Sequence, residues 1–201
     1  MSTTGAVAEI LVAGLLALLW LIGGFSLFDQ EGAAKLLTLN LSSGSAVLVL
    51  AFSYQLGWIV NSVTYWMARH SYFESLRVRV LGAGTGRDEY ERLKVSIYGN
   101  KDHDHLIRLL EQETAVDRIA RAGGLNLLML SLVGFGEVMK DPKLSWTIAS
   151  LVLLVLGVYS WRVSYNRAYR YLRLIRQAGS VFNLQGPGVL EAGAKNEKAI
   201  A

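Results

Sequence analysis

Four stretches of the chain are apolar over nearly the length needed to cross a bilayer, and charge returns between them. The first runs from Ala6 to Phe28 and carries a single charge, Glu9, near its start. The second, Ser45 to Ala68, has none. The third, Ala122 to Met139, is the shortest and holds Glu137 in its last turn; a re-entrant segment is its alternative to a full span. The fourth, Ser145 to Trp161, is the cleanest. A hydrocarbon core of about 30 Å takes roughly 20 residues of helix. A soluble fold can bury one such helix, but four in 201 residues leave too little amphipathic material to cover them. The pattern therefore predicts an all-α polytopic membrane protein with four transmembrane helices.

Between the second and third spans the period changes. Residues 69–121 read as helix, turn, helix, and predict a cytoplasmic helical hairpin between the second and third membrane helices. Thr85 or Asp88 is placed to cap the first helix, with Glu89 and Glu91 in its first turn. Gly99 and Asn100 break it, and Asp102 or Asp104 can cap the next. Leu106, Leu109, Leu110, Val116, Ile119 and Ala120 give that second helix an apolar face. Fifty-three residues are few for an independent core, so the segment is expected to pack on itself, on another copy or on a partner.

Composition agrees with a membrane protein. Charged residues make up 18%, below the roughly 25% of soluble domains, and mean hydropathy is +0.33. The first span is not preceded by Lys or Arg, and its apolar run exceeds the about 7–15 residues of a signal peptide; it reads as a retained helix. Cysteine is absent, which removes disulfides and thiolate chemistry.

Lys and Arg counts orient the spans. The first connection, 29–44, holds one and the third, 140–144, holds two, against ten in the middle connection and seven from Arg162 onward. Parity puts both basic segments on one side. The expected layout is 1–68 as membrane helices 1 and 2, 69–121 as the cytoplasmic helical loop, 122–161 as membrane helices 3 and 4, 162–178 as a basic juxtamembrane helix and 179–201 as a flexible tail. The expected site is the plasma (inner) membrane, with both termini cytoplasmic.

Within the middle connection, "VLGAGTG", Val80 to Gly86, resembles the first motif of S-adenosylmethionine-dependent methyltransferases. That resemblance would imply a βαβ fold and a nucleoside cofactor. Each βαβ unit needs about 30 residues or more, and neither the strands nor a ribose-binding acid follows. The glycines read instead as a turn. Asp102 to His105, "DHDH", offers zinc-type ligands, but the two imidazoles fall on different helix faces and no second cluster exists. No catalytic residues, metal or cofactor are assigned, and the chain is expected not to be an enzyme. Asn40 begins an "NLS" glycosylation pattern close to the second span.

Polar residues within membrane helices usually face protein or water. The candidate polar face comprises Tyr54, Gln55, Asn61 and Thr64 of the second span with Asn126 and Ser131 of the third; it serves either interhelical hydrogen bonding or a pore. No Asp, Lys, Arg or His sits at mid-depth, which disfavours ion-coupled transport. After the fourth span, Arg162, Arg167, Arg170, Arg173 and Arg176 alternate with tyrosines and spiral around the helix. They are candidates for anionic lipid headgroup contact. Nucleic acid is the less favoured partner for the same pattern.

The layout is similar to that of small four-span accessory proteins of prokaryotic stress and phage-defence systems, and the similarity implies a pore-forming effector as one expectation. The principal expectation is a protein that acts by homo-oligomerising or by anchoring a cytoplasmic partner. A small channel gated through the cytoplasmic loop is the alternative, and a membrane enzyme or transporter the remote one.

Overall fold

A computed structural model describes residues 3–37, 43–82, 86–99 and 104–181. Asn40, Ala83 to Thr85, Asp102, His103 and the tail from Phe182 lie outside the described residues. No strand occurs among the described residues. The helices are α1 (Thr3–Ser26), α2 (Gln30–Leu37), α3 (Ser43–Ala68), a π-helical turn (Arg69–Phe73), α4 (Glu74–Leu81), α5 (Arg87–Gly99), α6 (Asp104–Lys140) and α7 (Leu144–Val181). Among the described residues, four helical stretches are long and apolar enough to cross a membrane: Gly5–Ser26, Ala46–Leu81, Asp104–Lys140 and Leu144–Gly179. The third expected span thus belongs to an unbroken helix of 37 residues, about 55 Å long at 1.5 Å per residue.

Local chemistry sets the helix ends. Asp29 caps α2: its Oδ1 accepts from the Gly32 backbone N–H at 2.9 Å. This short helix occupies a connection that shows no helical periodicity beyond its eight residues. Gly82 ends α4 with φ 105° and ψ 152°, a conformation open essentially to glycine alone. Its N–H reaches the Val78 carbonyl at 3.0 Å. The turn expected at the glycine motif therefore begins at its first glycine. Gly86 precedes α5, and its carbonyl accepts from Tyr90 N–H at 3.1 Å; of the two expected caps, Asp88 lies inside the helix and Thr85 outside the described residues.

The chain divides into two compact units. One comprises Met67–Asp117 and the described part of Ser164–Ala201; the other comprises Ser2–Trp66 and Arg118–Val163.

The first unit has a core of its own. Tyr72, Leu76, Val80 and Leu81, from the π turn and α4, are buried. So are Tyr90, Leu93 and Ile97 on one stripe of α5, Leu110 and Ala115 on α6, and Ala168, Leu172, Ile175 and Ala178 on α7. Residues 69–121 do not make this core alone: α7 supplies a further helix, its apolar residues at spacings of three and four among the arginines. Buried Tyr72 shares a 2.6 Å hydrogen bond with Ser164, whose Oγ donates to Asp117 at 2.5 Å. Arg167 binds both oxygens of Glu113, at 3.0 and 3.1 Å.

The second unit holds most of the apolar sequence and buries mainly small residues. Ala13, Ala17, Val60 and Ala122 form its buried cluster, flanked by Trp20, Leu56 and Leu125. At Gly14 and Gly57 the backbones of α1 and α3 touch. A Cβ on Gly14 would overlap the Ser53 carbonyl oxygen, and one on Gly57 the Ile10 carbonyl oxygen. Close approach through small residues is how membrane helices gain contact without a hydrophobic driving force between them.

Candidate functional site

The expected polar face divides into three residues whose side chains are bonded within the chain, two that are half-buried and one that is exposed. Asn126 is fully buried. Its Oδ1 accepts from Trp20 Nε1–H and its Nδ2 donates to the Ala13 carbonyl, both at 2.9 Å. One side chain on α6 therefore holds two turns of α1. Ser131 donates to the Ser150 carbonyl at 2.8 Å, joining α6 to α7. Thr64 is buried and donates to the Asn61 carbonyl at 3.0 Å. Asn61 and Tyr54 are half-buried. Sequence reading did not identify the partners, Trp20 and Ser150, because a backbone acceptor or an indole in an apolar run carries no polar signature. The inward face of α3 runs through Ser53, Gly57, Val60 and Thr64, one position away from the face built on Tyr54 and Gln55.

Gln55 is exposed. It lies on an outward row of α3 comprising Leu48, Phe52, Gln55, Ile59, Ser62 and Trp66, each exposed. The spacings are 4, 3, 4, 3 and 4, the 3.5-residue repeat of a helix-pairing seam. Ser62 satisfies itself on the Trp58 carbonyl at 2.9 Å. A primary amide offers two donors and two acceptor lone pairs.

The five expected headgroup arginines also divide. Arg167 is committed to Glu113, and Arg176 is half-buried, whereas Arg162, Arg170 and Arg173 are exposed. At 100° per residue these three fall within about 80° of one another around α7. The exposed members thus share a face, although the five together do not.

In the first unit Tyr98, Tyr171 and Tyr90 lie together. Burial pushes the Tyr98 phenol above its ordinary value, the nearby Glu111 carboxylate adds to the rise, and the hydrogen bond with Tyr171 opposes it. Tyr98 thus stays a neutral hydrogen-bonding group. In the connection between α6 and α7, Lys143 pairs with Asp141 at 2.5 Å; that hydrogen bond, with the carboxylate's charge, raises the Lys143 pKa. His105 stands exposed at the start of α6. Among the described residues no group of three His, Asp or Glu side chains is placed to hold a metal.

Four apolar helices, tied by buried polar side chains and glycine contacts, are the build of a small integral membrane protein. No family model matches the chain, and no curated protein or solved structure matches it either.

Proposed function

We propose that this protein is a non-catalytic four-span protein of the plasma (inner) membrane that acts by self-association. Its copies pair through α3, and its first unit, on the cytoplasmic side with both termini, is presented to a protein partner. The observation that carries this reading is Gln55, an exposed amide at the middle of a heptad-spaced apolar row. An amide left in hydrocarbon forfeits its hydrogen bonds at a cost of several kcal/mol. A second α3 packed on the same row would offer an identical amide at the same level, and one polar residue in such a seam fixes register.

The other intramembrane polar groups support the same reading by default. Asn126, Ser131 and Thr64 are occupied within the chain, so these three are not free to line a path through a single copy. A pore remains the second reading only along an oligomer axis, where Gln55 and Tyr54 of several copies would meet. The test is Gln55→Leu in the full chain, with oligomeric state followed in mild detergent and ion flux in liposomes. Loss of the oligomer with no flux in either protein supports pairing. Flux through wild type that Gln55→Leu alters supports the pore. A monomeric wild type, with Gln55→Leu more stable than it, overturns both.

A further inference from the structure

Glu9 is the one charge inside the first apolar run, and it has a partner. In the second unit Arg118 Nη2 lies 3.6 Å from Glu9 Oε2, with the side chains 33% and 19% exposed. The pair stands over a cleft of about 80 Å³ between α1, α3 and α6. Small residues (Ala13, Gly57 and Ala122) make what we read as its floor, and Ile10 and Ile119 add the larger apolar lining. Half-buried Asn61 contributes the remaining polar group of the lining. The floor is small because α1 and α3 must touch at Gly57, so the cleft follows from the same contact that holds the unit together.

Size and charge select the occupant. An apolar cavity of about 150 Å³ takes a benzene ring; one about half as large takes a few methylenes. The cleft is therefore too small for a soluble substrate and fits the upper part of an acyl chain. The cleft is partly open, and Ile119 in its lining is 53% exposed, which leaves an apolar approach for a lipid chain. A carboxylate and a guanidinium, both partly exposed, line it side by side. A phosphoethanolamine headgroup carries the complementary pair: a phosphate for Arg118 and, two carbons away, a primary ammonium for Glu9. Choline has the positive charge but no N–H to donate to the carboxylate. Phosphoglycerol has no cation, and Glu9 repels its charge. Asn61 can donate to an ester carbonyl below the phosphate.

We infer that this cleft is a specific site for one phospholipid with a primary-amine headgroup, with phosphate on Arg118, ammonium on Glu9 and the start of one acyl chain against Gly57. Losing one hydrogen bond to a charged group should cost about tenfold or more in affinity.

The experiment is native mass spectrometry of the full chain in mild detergent, titrated separately with phosphatidylethanolamine, phosphatidylcholine and phosphatidylglycerol of matched acyl chains. The expected result is one phosphatidylethanolamine per chain, bound at least about tenfold more tightly than the other two. Glu9→Gln should abolish the preference over phosphatidylcholine, and Arg118→Gln should weaken all three lipids. If Glu9→Gln does not fold, Ala6→Phe, which fills the cleft from its α1 side, must remove the preference. Equal binding of the three lipids by wild type, or a preference that survives either Glu9→Gln or Ala6→Phe, overturns the assignment.

Discussion

Asn126 shows how one side chain decides the packing of two helices. It spends a donor and an acceptor on α1, to the Ala13 carbonyl and to Trp20, where no water competes. Interhelical hydrogen bonds in membranes average about 0.6 kcal/mol and reach about 1.7. Asn126→Leu breaks both and also leaves the Trp20 N–H unpaired. We expect it to lower stability by about 1–3 kcal/mol, read as an earlier midpoint on titration with a denaturing detergent. Asn126→Asp sets a carboxylate oxygen against the Ala13 carbonyl and buries a charge, and should cost at least as much. Equal stability of Asn126→Leu and wild type would refute the bridging role. At this scale the sequence was informative about identity and less so about direction. Asn126, Ser131 and Thr64 stood out as polar residues in apolar runs, and all three are buried. Gln55 stood out equally and is exposed, because a helix of nearly uniform hydrophobicity gives no amphipathic signal to say which side is inward.

At the scale of elements, α3 and α1 are spaced by glycine. With Gly14 and Gly57 in contact with opposing carbonyls, neither position can accept a methyl group unless the helices part. Gly57→Val should destabilise the unit at the upper end of the about 1–3 kcal/mol of overpacking, and Gly57→Ala by less. Gly86→Ala, with open space around it, serves as a control that should unfold within about 0.5 kcal/mol of wild type. Thermal unfolding in one detergent compares all three, and a Gly57→Val protein as stable as the control would show that the close approach is not needed. The small residues of α1 were legible as contact positions; their partner helix was not. The π-helical turn was not legible at all. Ala68, Tyr72, Leu76 and Val80 are all buried at a strict spacing of four, which an α-helix of 3.6 residues per turn would rotate by about 40° per step. Arg69–Phe73 absorbs the excess by winding more residues into one turn, and so keeps one face inward. Sequence periodicity read at 100° per residue cannot see such a correction.

For the molecule as a whole, four apolar helices were evident in the sequence because length and hydropathy are one-dimensional properties. The core of the first unit was not, since it depends on α7 residues 164–178 lying beside a segment that ends nearly fifty positions earlier. The same folding pairs one of the five arginines, Arg167, within the chain. Arg167 to Arg176 occupy about 13–14 Å of helix, whereas the headgroup layer on each side of the hydrocarbon is about 5–7 Å thick. A stretch of that length set along the bilayer normal is longer than the headgroup layer, so lipid headgroups need not occupy both exposed arginines, Arg170 and Arg173. All of this rests on the sidedness implied by Lys and Arg counts, which can be tested directly. The chain has no cysteine, so a single introduced thiol labels without background. Gly86 and Pro142 are exposed, and they lie in connections separated by one apolar span. With a membrane-impermeant maleimide, Pro142→Cys should react in intact cells, and Gly86→Cys only after permeabilisation. A maleimide that reaches both positions from the same side would mean that α6 does not cross the membrane, and with it would fall the cytoplasmic placement of the first unit.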